Sequence, residues 1–130
     1  MKIIKEAIMD LNKKDIHIYF DMDGTVNHWD LNGNPHEEHY FRYREPFKNV
    51  LNAIKMLQKN NYNVSFATAV YMEGNAKSDK IIWLNNNDMK SIPVIFIPYG
   101  SCKNDYLEKV DNNYDIKGQH LSRCCYRRKK

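Results

Sequence analysis

Three short apolar runs, separated by stretches of helical periodicity, narrow the fold more than anything else in the chain. The runs are Ile16 to Phe20, Tyr62 to Ala67 and Pro93 to Ile97, all rich in β-branched and aromatic residues. Runs this short with that composition read as strands buried within a sheet. Between the first two, Glu45-Pro46 is expected to open a helix whose stripe is Val50, Leu51, Ile54 and Leu57, closed by Asn60-Asn61. A second helix is expected over Asn75 to Asn85, and another beginning at Asp105 and running to Val110. Ile4, Ala7, Ile8 and Leu11 predict a short amphipathic helix ahead of the first strand.

Strands alternating with helices imply right-handed βαβ crossovers and a parallel sheet. The expected fold is a small Rossmann-like α/β domain, a three-layer parallel sheet. Its 130 residues suit one domain, and 42% hydrophobic with 12% aromatic content suits a packed core. Residues 1–112 are read as that domain, 27–45 as a small polar insert and 113–130 as an atypical basic tail.

Other classes are disfavoured. No run reaches the ~18 apolar residues of a membrane span, and Lys2, Lys5 and Glu6 interrupt the N-terminus too early for a secretory signal. Cys102, Cys124 and Cys125 are odd in number and two are adjacent, which argues against a disulfide framework and for a reducing, cytoplasmic location. The net charge of +4 belongs to the chain's end. Residues 123–130 hold five of the 20 basic residues, leaving 15 against 16 acidic ones elsewhere. A dedicated nucleic-acid role is therefore not expected; a solvated end is the plainer reading.

The first strand ends in Asp21-Met22-Asp23-Gly24-Thr25-Val26. Carboxylates at i and i+2 leave a strand on the same side, at the sheet edge where open α/β folds bind ligands. Crowded together they favour a hard cation such as Mg²⁺ between them. Thr68 follows the second strand and Lys103 the third. A carboxylate pair, a hydroxyl and an ammonium form a complementary set for a phosphate monoester. One carboxylate can attack phosphorus while another protonates the leaving oxygen.

With these residues in order, the chain resembles the haloacid dehalogenase superfamily of phosphohydrolases from about residue 16 to 110. Asp21 to Val26 matches its first motif, Thr68 its second and Lys103 its third. The segment from Trp83-Leu84 through Ile97-Pro98-Tyr99-Gly100, with Lys103 to Leu107, is similar to small bacterial and phage proteins related to 5′-nucleotidases. The resemblance implies Asp21 as nucleophile and Asp23 as general acid, then base. It implies Thr68 and Lys103 on the phosphoryl group, and Mg²⁺ on the Asp21 carboxylate and the Asp23 main-chain carbonyl. The expected substrate is a small phosphate ester, a nucleotide being one candidate. The insert at 27–45 lies where the superfamily places its cap.

The pattern breaks after Lys103. The superfamily's fourth motif, acidic residues after a further apolar strand, has no counterpart; Asp111 and Asp115 are the available substitutes. Gln119 to Lys130 has the composition of neither a fourth strand nor a closing helix, which would leave the domain incomplete and a sheet edge unpaired. The alternative to an active phosphatase is thus a truncated or catalytically impaired relative that binds phosphate or a partner. Two further readings concern the insert. His28, His36 and His39 invite a zinc site, but their spacing in a polar loop without cysteine argues against one. Trp29, Tyr40, Phe41, Arg42, Tyr43 and Arg44 are equally suited to stack on a base and pair with phosphate or to pack the insert on the core.

Overall fold

The structure, a computed structural model, describes residues 16–110, 114–115, 120–121 and 124–129. The helix expected near residues 3–12 lies outside the described residues. Three parallel strands form the heart of the sheet. They are β1 (Ile16–Phe20), β2 (Asn63–Val70) and β3 (Val94–Pro98), with β1 between β2 and a later strand. Ile18 pairs with Val64 and Phe20 with Phe66; Phe66 in turn pairs with Val94 and Val70 with Pro98. Helices α1 (Lys48–Lys59), α2 (Ala76–Asn86) and α3 (Lys103–Val110) make the connections, and a 3₁₀ turn spans Tyr40–Tyr43.

Period-2 alternation assigns the faces. Ile16, Ile18 and Phe20 of β1 join Val64 and Phe66 of β2 against Leu51 and Ile54 of α1 and Trp83 and Leu84 of α2. Tyr19, Ala67 and Ile97 turn to the other face and meet Leu107 of α3. Helices therefore cover both faces, and each side chain fully withdrawn from water contributes about 1.5–3 kcal/mol. That two-sided burial is why β1 reads as a nearly continuous apolar run, its one polar member, His17, lying buried 2.8 Å from the Ser65 hydroxyl. Among the described residues no helix is long and apolar enough to cross a membrane.

The structure corrects the sequence expectations in three places. The sheet is mixed rather than parallel throughout. Residues Cys124–Lys129 form a strand, β6, that runs antiparallel along β1, with Phe20 opposite Cys124 and Ile16 opposite Arg128. Two short strands, β4 (Tyr114–Asp115) and β5 (His120–Leu121), pair with β6. The expectation that 119–130 cannot supply a strand fails because backbone groups make the ladder. A strand buried on both faces must satisfy its N–H and C=O groups along both edges, whatever composition the partner brings.

Second, α1 starts at Lys48, two residues beyond Pro46. Pro46 instead bridges Asn27, the His28 N–H donates to the Glu45 carbonyl at 2.8 Å, and the Phe47 N–H donates to the Val26 carbonyl at 2.7 Å. The two ends of the insert are stitched together there, which holds 45–47 extended. Third, β2 runs on to Val70, because Thr68, Ala69 and Val70 still have partners in Phe96, Ile97 and Pro98. Thr68 therefore lies within the strand, not after it.

Candidate active site

Asp21 is the first residue beyond β1, and the chain turns at once. The Thr25 and Val26 N–H groups both donate to the Met22 carbonyl, at 3.0 and 2.9 Å. Gly24 takes φ 75°, where a side chain would be strained, and its N–H donates to Asn27 Oδ1 at 3.1 Å. Met22 is buried in the core, while Asp21 and Asp23 on either side stay partly accessible. The i, i+2 spacing acts here as the sequence predicts.

Each carboxylate meets a lysine from a different helix. Lys103, the first residue of α3, donates to Asp21 Oδ1 at 2.8 Å. Lys80 of α2 donates to Asp23 Oδ2 at 2.6 Å, to Thr68 Oγ1 at 2.8 Å and to the Ala69 carbonyl at 3.0 Å. Those three acceptors match the three donors of an ammonium. The Lys80 nitrogen also lies 4.5 Å from the centre of the Phe41 ring. Burial lowers the Lys80 pKa; the neighbouring Asp23 opposes that shift, and the charge of Lys103 adds to it.

Lys80 is the residue the sequence reading misses, since it looks like one member of a helical stripe with Ala76, Ile81 and Leu84. A signal was present. A lysine on the stripe of a helix that covers a sheet must find an acceptor, and the acidic end of β1 is the nearest supply.

Asp21, Asp23 and Lys103 form the floor of a cleft of about 360 Å³, whose walls include Trp29, Phe41, Tyr71 and Tyr99. Thr68 does not line this cleft. It is wholly buried, and its hydroxyl accepts from Lys80. Three of the four expected site residues thus share one open space, and the fourth supports it from behind through Lys80. The hydroxyl of Thr25, in the same loop as Asp23, is buried without a hydrogen-bond partner in the structure.

The donor set suits Mg²⁺ in kind. Two carboxylates and a carbonyl are hard oxygen ligands, and Mg²⁺ commonly takes one or two carboxylates, filling its remaining positions with water and substrate phosphate. Among the described residues there is no group of three or more His, Cys, Asp or Glu placed to hold a metal. Asp111 lies outside the described residues. Asp115 sits level with Arg128 and hence with Ile16, the start of β1. Its register position is roughly 13 Å along the strand direction from the end that bears Asp21.

The insert's polar groups are engaged partly within it and partly by α2. Arg42 pairs with Asp79, and Arg44 lies over the Tyr40 ring at 4.1 Å and donates to the Tyr40 carbonyl. Trp83 of α2 donates to the Arg44 carbonyl at 2.6 Å. Tyr40 and Phe41 are buried, so packing on the core accounts for them, while Trp29 keeps an exposed face in the cleft. The three histidines do not converge: His28 packs on Phe47, His36 on Tyr71, and His39 bonds Asp79.

Comparison with protein-family models, with curated proteins and with solved structures gives no match to this chain. Its class therefore rests on the fold and site alone: a small α/β domain whose paired carboxylates sit at the carboxyl end of β1, between the parallel β2 and the antiparallel β6.

Proposed function

We propose that the protein is a phosphomonoesterase of the haloacid dehalogenase type, acting through an aspartyl-phosphate on Asp21 with Mg²⁺ as cofactor. One observation carries the reading: Asp21, on the cleft floor, is held at 2.8 Å by Lys103 from the helix that follows β3. A nucleophilic carboxylate and a cation for the phosphoryl oxygens are then side by side in an aromatic-walled cleft suited to a small organic phosphate, a nucleotide among the candidates.

In this reading an Asp21 oxygen attacks phosphorus, the bond from phosphorus to the ester oxygen breaks, and Asp23 gives that oxygen its proton. Water then attacks phosphorus and Asp23 takes the water's proton, releasing phosphate and restoring Asp21. Lys103 turns from Asp21 towards the incoming phosphoryl oxygens as a point charge. Lys80, fixed by three acceptors, holds Asp23 in place and keeps Thr68 at its back. Mg²⁺, held by Asp21 and the Asp23 carbonyl, would offset the charge of the anionic substrate beside an anionic nucleophile.

The test is release of inorganic phosphate from phenyl phosphate with added Mg²⁺. The Asp21→Asn variant is expected to fall by about a thousandfold or more, the scale seen when a covalent nucleophile is removed. Equal rates for the two proteins would sink the proposal. A second reading, an impaired relative that binds phosphate without turning it over, draws on the register of Asp115, which sits at the wrong end of the sheet to complete a metal shell. Saturable phosphate binding with no Mg²⁺-dependent turnover would favour it.

A further inference from the structure

The insert is fastened to the core at a point away from the carboxylates. Asp79, in the first turn of α2, is almost wholly buried. Its Oδ1 accepts from Arg42 Nε at 2.9 Å, with Arg42 Nη2 also 2.9 Å away, and His39 Nδ1 lies 3.1 and 3.2 Å from its two oxygens. His39 takes φ 62°, ψ 17°, a left-handed conformation that a non-glycine residue holds only when its surroundings enforce it. The adjacent residue of α2, Lys80, approaches the same segment through the Phe41 ring. Residues 79 and 80 thus grip 39–42 at two points, one ionic and one over an aromatic face.

What this grip holds is a partition. A second cavity of about 280 Å³, lined in part by Asp79, adjoins the carboxylate cleft. Pro35, Phe41 and Tyr71 line both cavities and so form the wall between them. Phe41 is the member of that wall flanked by the Asp79 partners.

We propose that Asp79 is a positioning residue that latches residues 39–42 against α2, keeps Phe41 standing as the wall between the two cavities, and thereby limits the size of the leaving group that the carboxylate cleft accepts. Asp79 touches neither the cleft floor nor, on this reading, the substrate. Its influence passes through Arg42 and His39 to Phe41. The kinetic part rests on the phosphomonoesterase reading; the latch itself does not.

The test uses the full chain and its Asp79→Asn variant, with Arg42→Gln as a second variant that breaks the same latch from its half-buried side. Hydrolysis of phenyl phosphate is compared with that of the bulkier biphenylyl phosphate. The latch predicts that kcat/KM shifts in favour of the bulkier ester by about tenfold relative to the smaller, the scale of one pocket contact. A variant that is merely less stable loses both activities in proportion, and an unchanged ratio in both variants overturns the size-limiting role. Amide hydrogen exchange provides a readout that needs no turnover. Exchange across residues 36–44 should quicken by about tenfold or more in either variant, with β2 unaffected, as expected for a local opening. Unchanged exchange there overturns the latch. If the wild type releases no phosphate from either ester, the proposed reaction fails and exchange alone decides the latch.

Discussion

Asp21 and Asp23 leave the same strand end and each meets a lysine at close range, yet the two pairs sit in different surroundings. In Lys80–Asp23 the side chains are 1% and 14% exposed at 2.6 Å; in Lys103–Asp21 they are 36% and 31% exposed at 2.8 Å. Near-equal lengths conceal unequal roles. Lys80 has all its donors engaged within protein, so removing it strands a largely buried carboxylate. Lys103 stands at the cleft, where water screens its attraction to Asp21 and an incoming anion can compete for it. The buried pair builds the site and the accessible pair is free to exchange partners.

Breaking the buried pair should have the larger consequence for folding. Lys80→Met is expected to cost about 3 kcal/mol, within the range for removing one partner of a buried ion pair, read as a lower denaturant midpoint at unchanged slope. A shift below about 1 kcal/mol would show that Asp23 relaxes into water and that the two pairs do not differ in their weight for folding. Lys103→Met should leave the midpoint within about 1 kcal/mol of wild type but weaken binding of inorganic phosphate by about tenfold, the worth of one charge-assisted hydrogen bond. Isothermal titration would check it, and unaltered affinity would remove Lys103 from the anion site.

A third pair sharpens the series at its exposed end. Lys55 and Asp88 lie 2.8 Å apart, 37% and 92% exposed. The hydrogen bond from Lys55, and then its charge, lower the Asp88 pKa from the usual 3.8. A depressed carboxylate stabilises the fold above its unfolded value and loses that contribution as pH falls through its folded value. The small difference in midpoint between wild type and Lys55→Met should therefore be present at neutral pH and vanish as the pH drops well below 3.8. A difference that persists in acid would assign it to packing of the Lys55 stem instead.

The three parallel strands, the helices after them and the juxtaposition of Asp21, Asp23 and Lys103 were legible in the sequence, because each depends on local pattern: period 2, period 3.6, and residues that follow a strand end. The position of Thr68 was harder to read, since strand length depends on how far a neighbour continues to pair. Lys80 and Asp79 were hidden for another reason. Lys80 sits on the helix's stripe and Asp79 beside it, and the partners that bury them lie 57 residues earlier for Lys80 and in the insert for Asp79, beyond the reach of a local pattern. The strand at Cys124–Lys129 was obscured by composition, because β1 demands a backbone partner and sets no condition on side-chain type.

The place of β1 in the sheet also sets a schedule for its assembly. Although it precedes every other described strand, its two edges are closed by segments made at very different times: Ile18 meets Val64 on one side and Tyr126 on the other. On a ribosome the first edge can be covered once β2 has emerged, whereas the second stands open until nearly all the described chain has followed. A strand buried along its whole length is thus born with one flank unguarded, and its protection from a neighbouring nascent chain rests with whatever meets it at the exit tunnel.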